Sequence, residues 1–273
     1  LYTHPSNKPF IWTQGRQVGG KSLTWGGITL RLSDHEFKPS KKDGYGPDWP
    51  IRHKDLDPHY SELERLLKVH GNRDGLDSLP DGHYINPLPL TSIEEEFARS
   101  TRSKLGLPLI NSRGFGPQKP STKSTWPPSS SPGSTLKKAI ETGKVEVLSN
   151  QIVERIVLKS DRSTAKGVVV VDNLNGERKE IEGELIVLCA STINSLRVLL
   201  SSHENAEKNG FIDTSGELGC YLMDHISTCR FFTLETNISQ ASKEPDFSLS
   251  GAGSFLIPPN NNFSKVNDKS LLR

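Results

Sequence analysis

A glycine-rich stretch near the start of the chain has the residue types of a phosphate-binding loop. Residues Gly15 to Ser22 read GRQVGGKS and match the pattern GxxxxGK[ST] in full, and a Walker-B-like run of four valines precedes Asp172. In nucleotide-binding proteins this loop joins a strand to a helix whose first amides hold phosphate. Here Gly26 and Gly27 follow closely, and each glycine costs about 1 kcal/mol in a helix. A P-loop NTPase is therefore one interpretation, and a weak one.

The same glycines allow a second interpretation, which is a surface for a large flat ligand. Glycines let the backbone pass close to a ring system, and Trp25 could lie against that ring. Arg16 and Lys21 could meet phosphates, and Arg31 closes the stretch. The residues leave a third possibility open, a turn that packs tightly on a neighbouring strand.

Another candidate is a strand–turn–helix at residues 184–202. The run from Glu184 to Cys189 is continuously apolar after its first residue, which is typical of a strand buried on both faces. Small residues follow, and then a helical pattern. Such a turn can approach a pyrophosphate or a ribityl chain. The glycines of G-x-G-x-x-G are absent, however, so this feature alone is a weak indication.

Other clusters of titratable residues are better explained by local structure. His53, Asp55, Asp57 and His59 alternate like a metal-binding tract, but Asp57 is predicted to cap a helix that begins at Pro58. We therefore expect a solvated helix start and no metal site. Asp224 and His225 could form an acid/base pair, although a hydrogen-bonded structural pair is favoured.

Composition excludes several classes of protein. The 273 residues include 34 Lys and Arg against 32 Asp and Glu, a net charge of +2, and the basic residues are scattered. A nucleic-acid partner is therefore not expected. No apolar run reaches the roughly 18–20 residues of a membrane span. Cys189, Cys220 and Cys229 lack metal-ligand spacing and are expected to be buried or incidental thiols, which do not indicate a compartment.

Periodicity and turn residues predict a mixture of helices and strands. Helices are predicted from Asp57 to Gly71, over 92–105 and after Ser134, separated by a Pro/Ser-rich loop at 116–134. Strands are predicted at 8–12, 145–148, 152–158, 166–172, 179–183 and 184–189, with a hairpin turn at 173–176. The chain begins at Leu1 and its single Met is Met223, so we expect a segment to precede it.

Several motifs in fixed order resemble the glucose–methanol–choline (GMC) flavoprotein oxidoreductases, and most closely their gluconate-type and pyranose-type branch. They are RQVGGKSLTWGGITLRLSDHEF, GYGPDWPIRHKDLDPHYSELE, LPDGHYINPLPL, KGVVVVD, ELIVLCASTINSLRVLLSS and SGELGCYLMDHI, spanning roughly residues 1–230. The resemblance implies a mixed α/β chain with an incomplete FAD/NAD(P)-binding-type fold and part of a substrate domain. The expected division is into FAD-domain segments at 1–40 and 140–229, a cap or substrate-side insertion at 41–139, and the start of a substrate domain at 230–273.

The resemblance implies an FAD site. Besides Arg16, the residues expected at the cofactor are Gly19, Gly20, Ser22, Thr24, Trp25, Gly26, Val153, Ala190, Ser191, Asn194, Gly219 and Asp224. The backbone of Val153 would meet adenine, and Ala190, Ser191 and Asn194 would lie near the diphosphate and ribityl part. Some pyranose-type relatives carry the flavin on a histidine at the position of Thr24. Threonine cannot do this, so non-covalent FAD is expected.

The implied reaction oxidises the CH–OH group of a sugar, sugar acid or polyol. A base takes the hydroxyl proton while hydride passes to flavin N5. The family's catalytic histidine lies near its C-terminus and matches none of the histidines here, so it is expected beyond residue 273. The chain is accordingly expected to be an internal fragment, inactive alone and unable to hold FAD firmly. The alternatives are the P-loop NTPase and a catalytically inactive flavin-fold binding module. Neither electron acceptor nor compartment is indicated.

Overall fold

The computed structural model describes residues 3–44, 47–87, 89–90, 92–115, 126–204, 213–222, 224, 228 and 255–258. It divides the chain into two units, Leu1–Val145 with Ser239–Arg273 and Glu146–Ile238. Both helices and strands are present, which confirms the predicted mixed fold class. The four-part division into domains stays a prediction.

The described elements, in chain order, are a 3-10 helix at Gly20–Leu23, α1 at Asp34–Phe37, α2 at Pro39–Asp43, α3 at His53–Leu67, α4 at Ser92–Leu105, β1 at Ile110–Asn111, α5 at Thr135–Glu141, β2 at Gln151–Leu158, β3 at Ala165–Asp172, β4 at Arg178–Glu182, α6 at Thr192–Glu204 and β5 at Phe255–Leu256. Predicted helix 92–105 and strands 152–158, 166–172 and 179–183 are confirmed, with ends shifted by at most one residue.

Helix α3 begins earlier than predicted. The backbone N–H of Arg52 donates to the Asp55 carboxylate at 2.8 Å, so a cap forms before the expected one at Asp57. Pro58 consequently lies inside the helix. The helix ends at Lys68, whose φ of 55° is left-handed, rather than at Gly71.

Short extended segments build the centre of the first unit. Bridges join Ile28 to Gly114, Gly114 to His70, and His70 to Ile85. The His70 amide donates to the Gly114 carbonyl at 2.7 Å. A Cβ on Gly114 would overlap the carbonyl oxygen of Gly27, so this close approach requires glycine. The buried apolar residues of the unit are Phe37, Val69, Leu79, Leu109, Ile110 and Phe115.

Arg31 connects this segment to helix α3. It is 3% exposed, and its Nε and Nη2 donate to the Glu64 carboxylate at 2.7 and 2.6 Å. It also donates to Ser61 at 3.1 Å and to Asp57, and its guanidinium lies 5.4 Å from the ring centre of Tyr60. The pKa of Arg31 is raised, chiefly because its side chain donates hydrogen bonds to Glu64.

Arg113 is a second buried guanidinium in the first unit. It donates to the Pro80 carbonyl at 2.6 Å, to Asp81 at 2.8 Å and to Asp74 at 3.2 Å. Its guanidinium lies 5.1 Å from the ring centre of Tyr84. The loop around residues 74–81 is therefore held by the side chain of Arg113, which follows α4 in the sequence whereas the loop precedes it.

The second unit contains an antiparallel sheet in the order β2-β3-β4. Val153 pairs with Val170, and Val168 with Ile181. The predicted hairpin turn follows β3, where the Asp172 carboxylate accepts the Leu174 amide at 2.8 Å. That hydrogen bond is the main reason why the pKa of Asp172 is lowered.

Helix α6 supplies hydrogen bonds to backbone groups of β2. The Ile156 amide donates to Ser202 Oγ at 2.8 Å, and Arg197 donates to the Val153 carbonyl at 3.1 Å. Ser202 and Val198 are buried. Strand β2 is an outer strand of its sheet. Side chains of α6 thus form hydrogen bonds with β2 backbone groups that a further strand would otherwise bind.

Three predicted strands are wrong. Residues 184–189 form no strand, because no described segment pairs with them, and Leu185 and Val187 are 81% and 71% exposed. Residues 8–12 and 145–148 are also irregular. Cys189 and Cys220 are exposed rather than buried. Met223, His225, Cys229, residues 116–125 of the Pro/Ser-rich loop and most of 230–273 lie outside the described residues.

Within the described part of the chain, no helix has the length and apolar character of a membrane span.

Candidate functional site

The glycine-rich stretch forms a tight turn and one short 3-10 helix. Gly19 and Gly20 have φ values of 102° and 49°, which favour glycine, and the Gly20 amide donates to the Gln17 carbonyl at 2.8 Å. The 3-10 helix ends at Leu23, and the described residues before the turn, 3–14, form no strand. A P-loop places an α-helix at this point, so the backbone lacks the element that would hold phosphate.

Trp25 is held by one edge of its indole ring. Its Nε1 donates to the carbonyl of Ser129 at 3.0 Å. The ring of Phe115 stands edge-on to it, with centroids 5.8 Å apart and an interplanar angle of 64°. Trp25 nevertheless remains 42% exposed. An anchored indole with exposed surface is suited to contact with another ring.

Open backbone lies on either side of this indole. Apart from the adjoining backbone, no heavy atom of the described residues lies within 4 Å of the position that a Cβ would take on Gly20 or Gly26. Arg16 and Thr24 are exposed, and the Thr24 hydroxyl donates to the Lys21 carbonyl at 3.4 Å. These open positions fit the approach of a large flat group such as a flavin ring.

In the second unit, three of the predicted residues, Ala190, Ser191 and Asn194, lie at the start of α6. Ser191 has a φ of 69°, and its carbonyl accepts the Ser195 amide at 2.8 Å as the helix begins. Ala190 and Asn194 belong to the same turn. Val153 lies on β2, and its carbonyl accepts a hydrogen bond from Arg197 of α6 at 3.1 Å. The first amides of α6 offer donors of the kind that bind phosphate.

Gly219 also lies against α6. It has a φ of 88°, and a Cβ there would be 3.4 Å from Leu196 Cδ1. The loop before it is organised by Asp213, whose carboxylate accepts the Ser215 hydroxyl at 2.7 Å. That hydrogen bond is the main cause of the lowered pKa of Asp213. Asp224 is exposed.

The predicted cofactor residues therefore form two groups. The first unit contains Arg16, Gly19, Gly20, Ser22, Thr24, Trp25 and Gly26, and the second contains Val153, Ala190, Ser191, Asn194, Gly219 and Asp224. Their assignment to a cofactor stays a prediction. Sequence reasoning missed that residues 126–134 contact the first group, and no local pattern pointed to it.

Two other candidates take structural roles. Arg31, which closes the glycine-rich stretch, is enclosed by carboxylates and is not open to a ligand. In the His/Asp tract, Asp55 accepts the Arg52 amide and Asp57 pairs with Arg31. Among the residues that the structure describes, no group of three or more His, Cys, Asp or Glu side chains could hold a metal ion.

Comparison with known proteins gives one family and two characterised relatives. Residues 114–227 match the sequence model of the GMC oxidoreductase family. The chain is 25% identical over 242 residues to 2-methyl-1,2-propanediol dehydrogenase of Mycolicibacterium austroafricanum, covering 77% of the chain and 40% of that protein. It is 24% identical over 222 residues to the fructose dehydrogenase large subunit of Gluconobacter japonicus, covering 76% of the chain and 41% of that protein.

The chain thus spans about two fifths of the length of these curated relatives. The match at 114–227 is to the N-terminal, FAD-binding region of the family, which suggests a flavin cofactor. The family match and both relatives agree with the motif order found in the sequence. The chain therefore contains a region, residues 114–227, that is similar to the GMC oxidoreductases.

Proposed function

We propose that this chain is the flavin-binding part of an enzyme that oxidises the CH–OH group of a sugar, sugar acid or polyol. The observation that carries the proposal is the similarity to a diol dehydrogenase and a sugar dehydrogenase subunit over about three quarters of the chain. FAD, when bound, supplies the acceptor for the two electrons removed from the alcohol carbon.

The glycine-rich stretch would bind the flavin ring in this proposal. Gly20 and Gly26 leave the backbone open for close approach, and the exposed surface of Trp25 offers a flat contact. Arg16 is exposed nearby in sequence and supplies positive charge. Thr24 lacks the imidazole that carries the flavin at this position in some pyranose-type relatives, and the proposed binding is therefore non-covalent.

Residues of the second unit would bind the adenosine and diphosphate portion. Ala190, Ser191 and Asn194 lie at the start of α6, where backbone amides and the helix dipole favour a negatively charged group. Val153 would face adenine with its backbone, and Gly219 and Asp224 complete the set. No catalytic residue is assigned to this chain, and the base is proposed beyond residue 273.

The test uses the product of the complete coding sequence. We expect it to purify with the visible absorption of flavin, released intact by denaturation because it is not covalently bound. Anaerobic addition of sugars, sugar acids and polyols, one at a time, should bleach that absorption with at least one of them. A protein that binds no flavin, or whose flavin none of these compounds bleaches, would contradict the proposal. Hydrolysis of Mg·ATP by the same protein would instead support the NTPase alternative.

A second experiment measures FAD binding and turnover by residues 1–273 alone. We expect it to bind added FAD weakly and to show no turnover. Stoichiometric, tightly bound FAD in this chain would overturn the expectation that part of the binding site lies outside it.

A further inference from the structure

Residues 126–134, here called the serine–proline loop, contact the glycine-rich stretch at three places. The first contact involves the hydroxyl of Ser22, which accepts the Ser131 amide at 2.9 Å and lies 3.2 Å from the Ser131 hydroxyl. The same hydroxyl lies 2.5 Å from the Gly19 carbonyl, to which it can donate. Ser22 and Ser131 are 109 positions apart in sequence. One side chain therefore connects the turn at Gly19 to a distant loop.

The second and third contacts lie on either side of the first. Trp25 Nε1 donates to the Ser129 carbonyl at 3.0 Å, which fixes the edge of the indole. A Cβ on Gly19 would lie 2.8 Å from Pro132 Cγ, so the Pro132 ring packs directly on this glycine. The loop thus contacts both the turn and the exposed indole of the glycine-rich stretch.

The serine–proline loop is itself held by short-range hydrogen bonds. Ser130 is buried and its hydroxyl donates to the Pro127 carbonyl at 2.6 Å. Its own carbonyl accepts the Ser134 hydroxyl at 2.6 Å, just before α5 begins. A Cβ on Gly133 would overlap the Pro127 carbonyl oxygen. The loop is therefore a compact turn able to act as a fixed support.

We propose that the serine–proline loop positions the flavin-binding surface, with Ser22 and Pro132 as positioning residues and Trp25 as the residue positioned. This inference rests on the proposed function, because the surface is the one proposed to bind flavin. The Ser22 hydroxyl donates its single hydrogen to the Gly19 carbonyl, and its oxygen accepts the Ser131 amide. Ser22 therefore acts on the ligand through the backbone and the indole, not by direct contact.

The test compares Ser22→Ala and Pro132→Gly with wild type in the product of the complete coding sequence. Ser103→Ala is the matched control, because Ser103 lies in α4 of the same unit and its exposed hydroxyl bonds only a helical carbonyl, at 3.2 Å. The emission spectrum of Trp25→Phe is subtracted from that of wild type, which isolates the emission of Trp25 from that of the other tryptophans. Tryptophan emission and its quenching by acrylamide are measured without flavin, and flavin affinity is measured by titration of the apoprotein.

We expect both loop variants to shift Trp25 emission to longer wavelength and to increase its quenching in the absence of flavin. The flavin affinity of Ser22→Ala should fall about tenfold, as for the loss of one hydrogen bond. Pro132→Gly, which loses the packing of its ring on Gly19, should change the affinity in the same direction. The control should change neither quantity. Because Pro132 is not among the proposed flavin contacts, a loss of affinity in Pro132→Gly points to positioning.

Two results would overturn the inference. If Ser22→Ala weakens flavin binding while Trp25 emission in the apoprotein is unchanged, Ser22 contacts the ligand directly. If Trp25 emission shifts but both variants bind flavin as wild type does, the loop has only a structural role. Absence of flavin binding in wild type would instead refute the proposed function, and the emission of the apoprotein would still report whether the loop holds Trp25. Pro132→Gly provides the same readings if Ser22→Ala does not fold.

Discussion

The two units of the molecule satisfy their polar groups in different ways. In the second unit, strands β2, β3 and β4 pair backbone to backbone, and ion pairs such as Lys166 with Glu180 at 2.8 Å lie on its surface. In the first unit, the extended segments are short and the buried charges of Arg31 and Arg113 connect distant parts of the chain. Regular pairing follows local sequence patterns, whereas a buried ion pair depends on partners far away in sequence.

This difference predicts where single substitutions matter most. Removing one partner of a buried pair leaves an uncompensated charge, and removing one partner of an exposed pair leaves a charge in water. All four tryptophans, at positions 12, 25, 49 and 126, belong to the first unit. Their fluorescence therefore reports on that unit during unfolding, and circular dichroism reports on the whole chain.

The largest effect is expected for Arg31→Met. The buried Glu64 would lose its cation, and such losses destabilise proteins by about 3–5 kcal/mol. Urea unfolding followed by tryptophan fluorescence should show a large decrease in the midpoint. The double substitution Arg31→Met with Glu64→Leu should recover part of the loss. An unchanged midpoint in the single variant would show that the buried pair does not stabilise the first unit.

The next effect is expected in the second unit for Ser202→Ala. The Ile156 amide would lose its acceptor and the Val198 carbonyl its side-chain donor, which costs about 1–3 kcal/mol. Hydrogen exchange should become faster at the Ile156 amide and in α6. Ser163→Ala, at an exposed turn position, is the control and should leave exchange unchanged. Equal protection of Ile156 in both variants would contradict the role of α6 along β2.

Tyr84→Phe removes a buried hydroxyl beside the buried Arg113 and keeps the aromatic ring that the guanidinium contacts. The Tyr84 hydroxyl is buried and has no hydrogen-bond partner among the described residues, so its removal should change stability by less than about 0.5 kcal/mol at neutral pH. A clear loss of stability would show that the hydroxyl has a partner in solution.

The same variant has a defined pH dependence. Burial raises the pKa of Tyr84. In the unfolded chain the Tyr84 hydroxyl ionises at its ordinary pKa of about 10, while at the same pH the folded chain keeps the proton. Stability should fall as pH rises from that value toward the folded pKa, and Tyr84→Phe should fall less steeply. Melting temperatures of both proteins, measured from neutral pH to well above 10, give the comparison.

The smallest effect is expected for Lys166→Met on β3. Lys166 pairs with Glu180 and Glu182 on the surface, and its pKa is raised chiefly by the hydrogen bond to Glu180. That contribution is present at neutral pH and is lost as pH rises through the raised pKa. The melting temperature should hardly change, and the remaining difference should disappear in high salt. A loss comparable to that of Arg31→Met would remove the distinction between the two units.

Sequence patterns predicted the regular elements well and the irregular ones poorly. The acidic first turn and the stop at Gly106 located α4, and a run of four valines with a turn after Asp172 located β3. The start of α3 was misplaced because Asp55, not Asp57, caps it, and Asp57 is used by Arg31. For the candidate site, the order of motifs indicated the family, while the support from Ser131 and Ser129 had no local pattern.

By itself, the sequence determined the mixed fold class, the strands of the second unit, helix α4 and the similarity to the GMC oxidoreductases, because each depends on neighbouring residues or on motif order. Only the tertiary structure decided that Arg31 is buried among carboxylates, that Leu185 and Val187 are exposed, and that Ser22 and Trp25 are held by a loop about a hundred positions away. These features depend on contacts between segments far apart in the chain, where the gain from a hydrogen bond or an ion pair is set by burial and not by residue type.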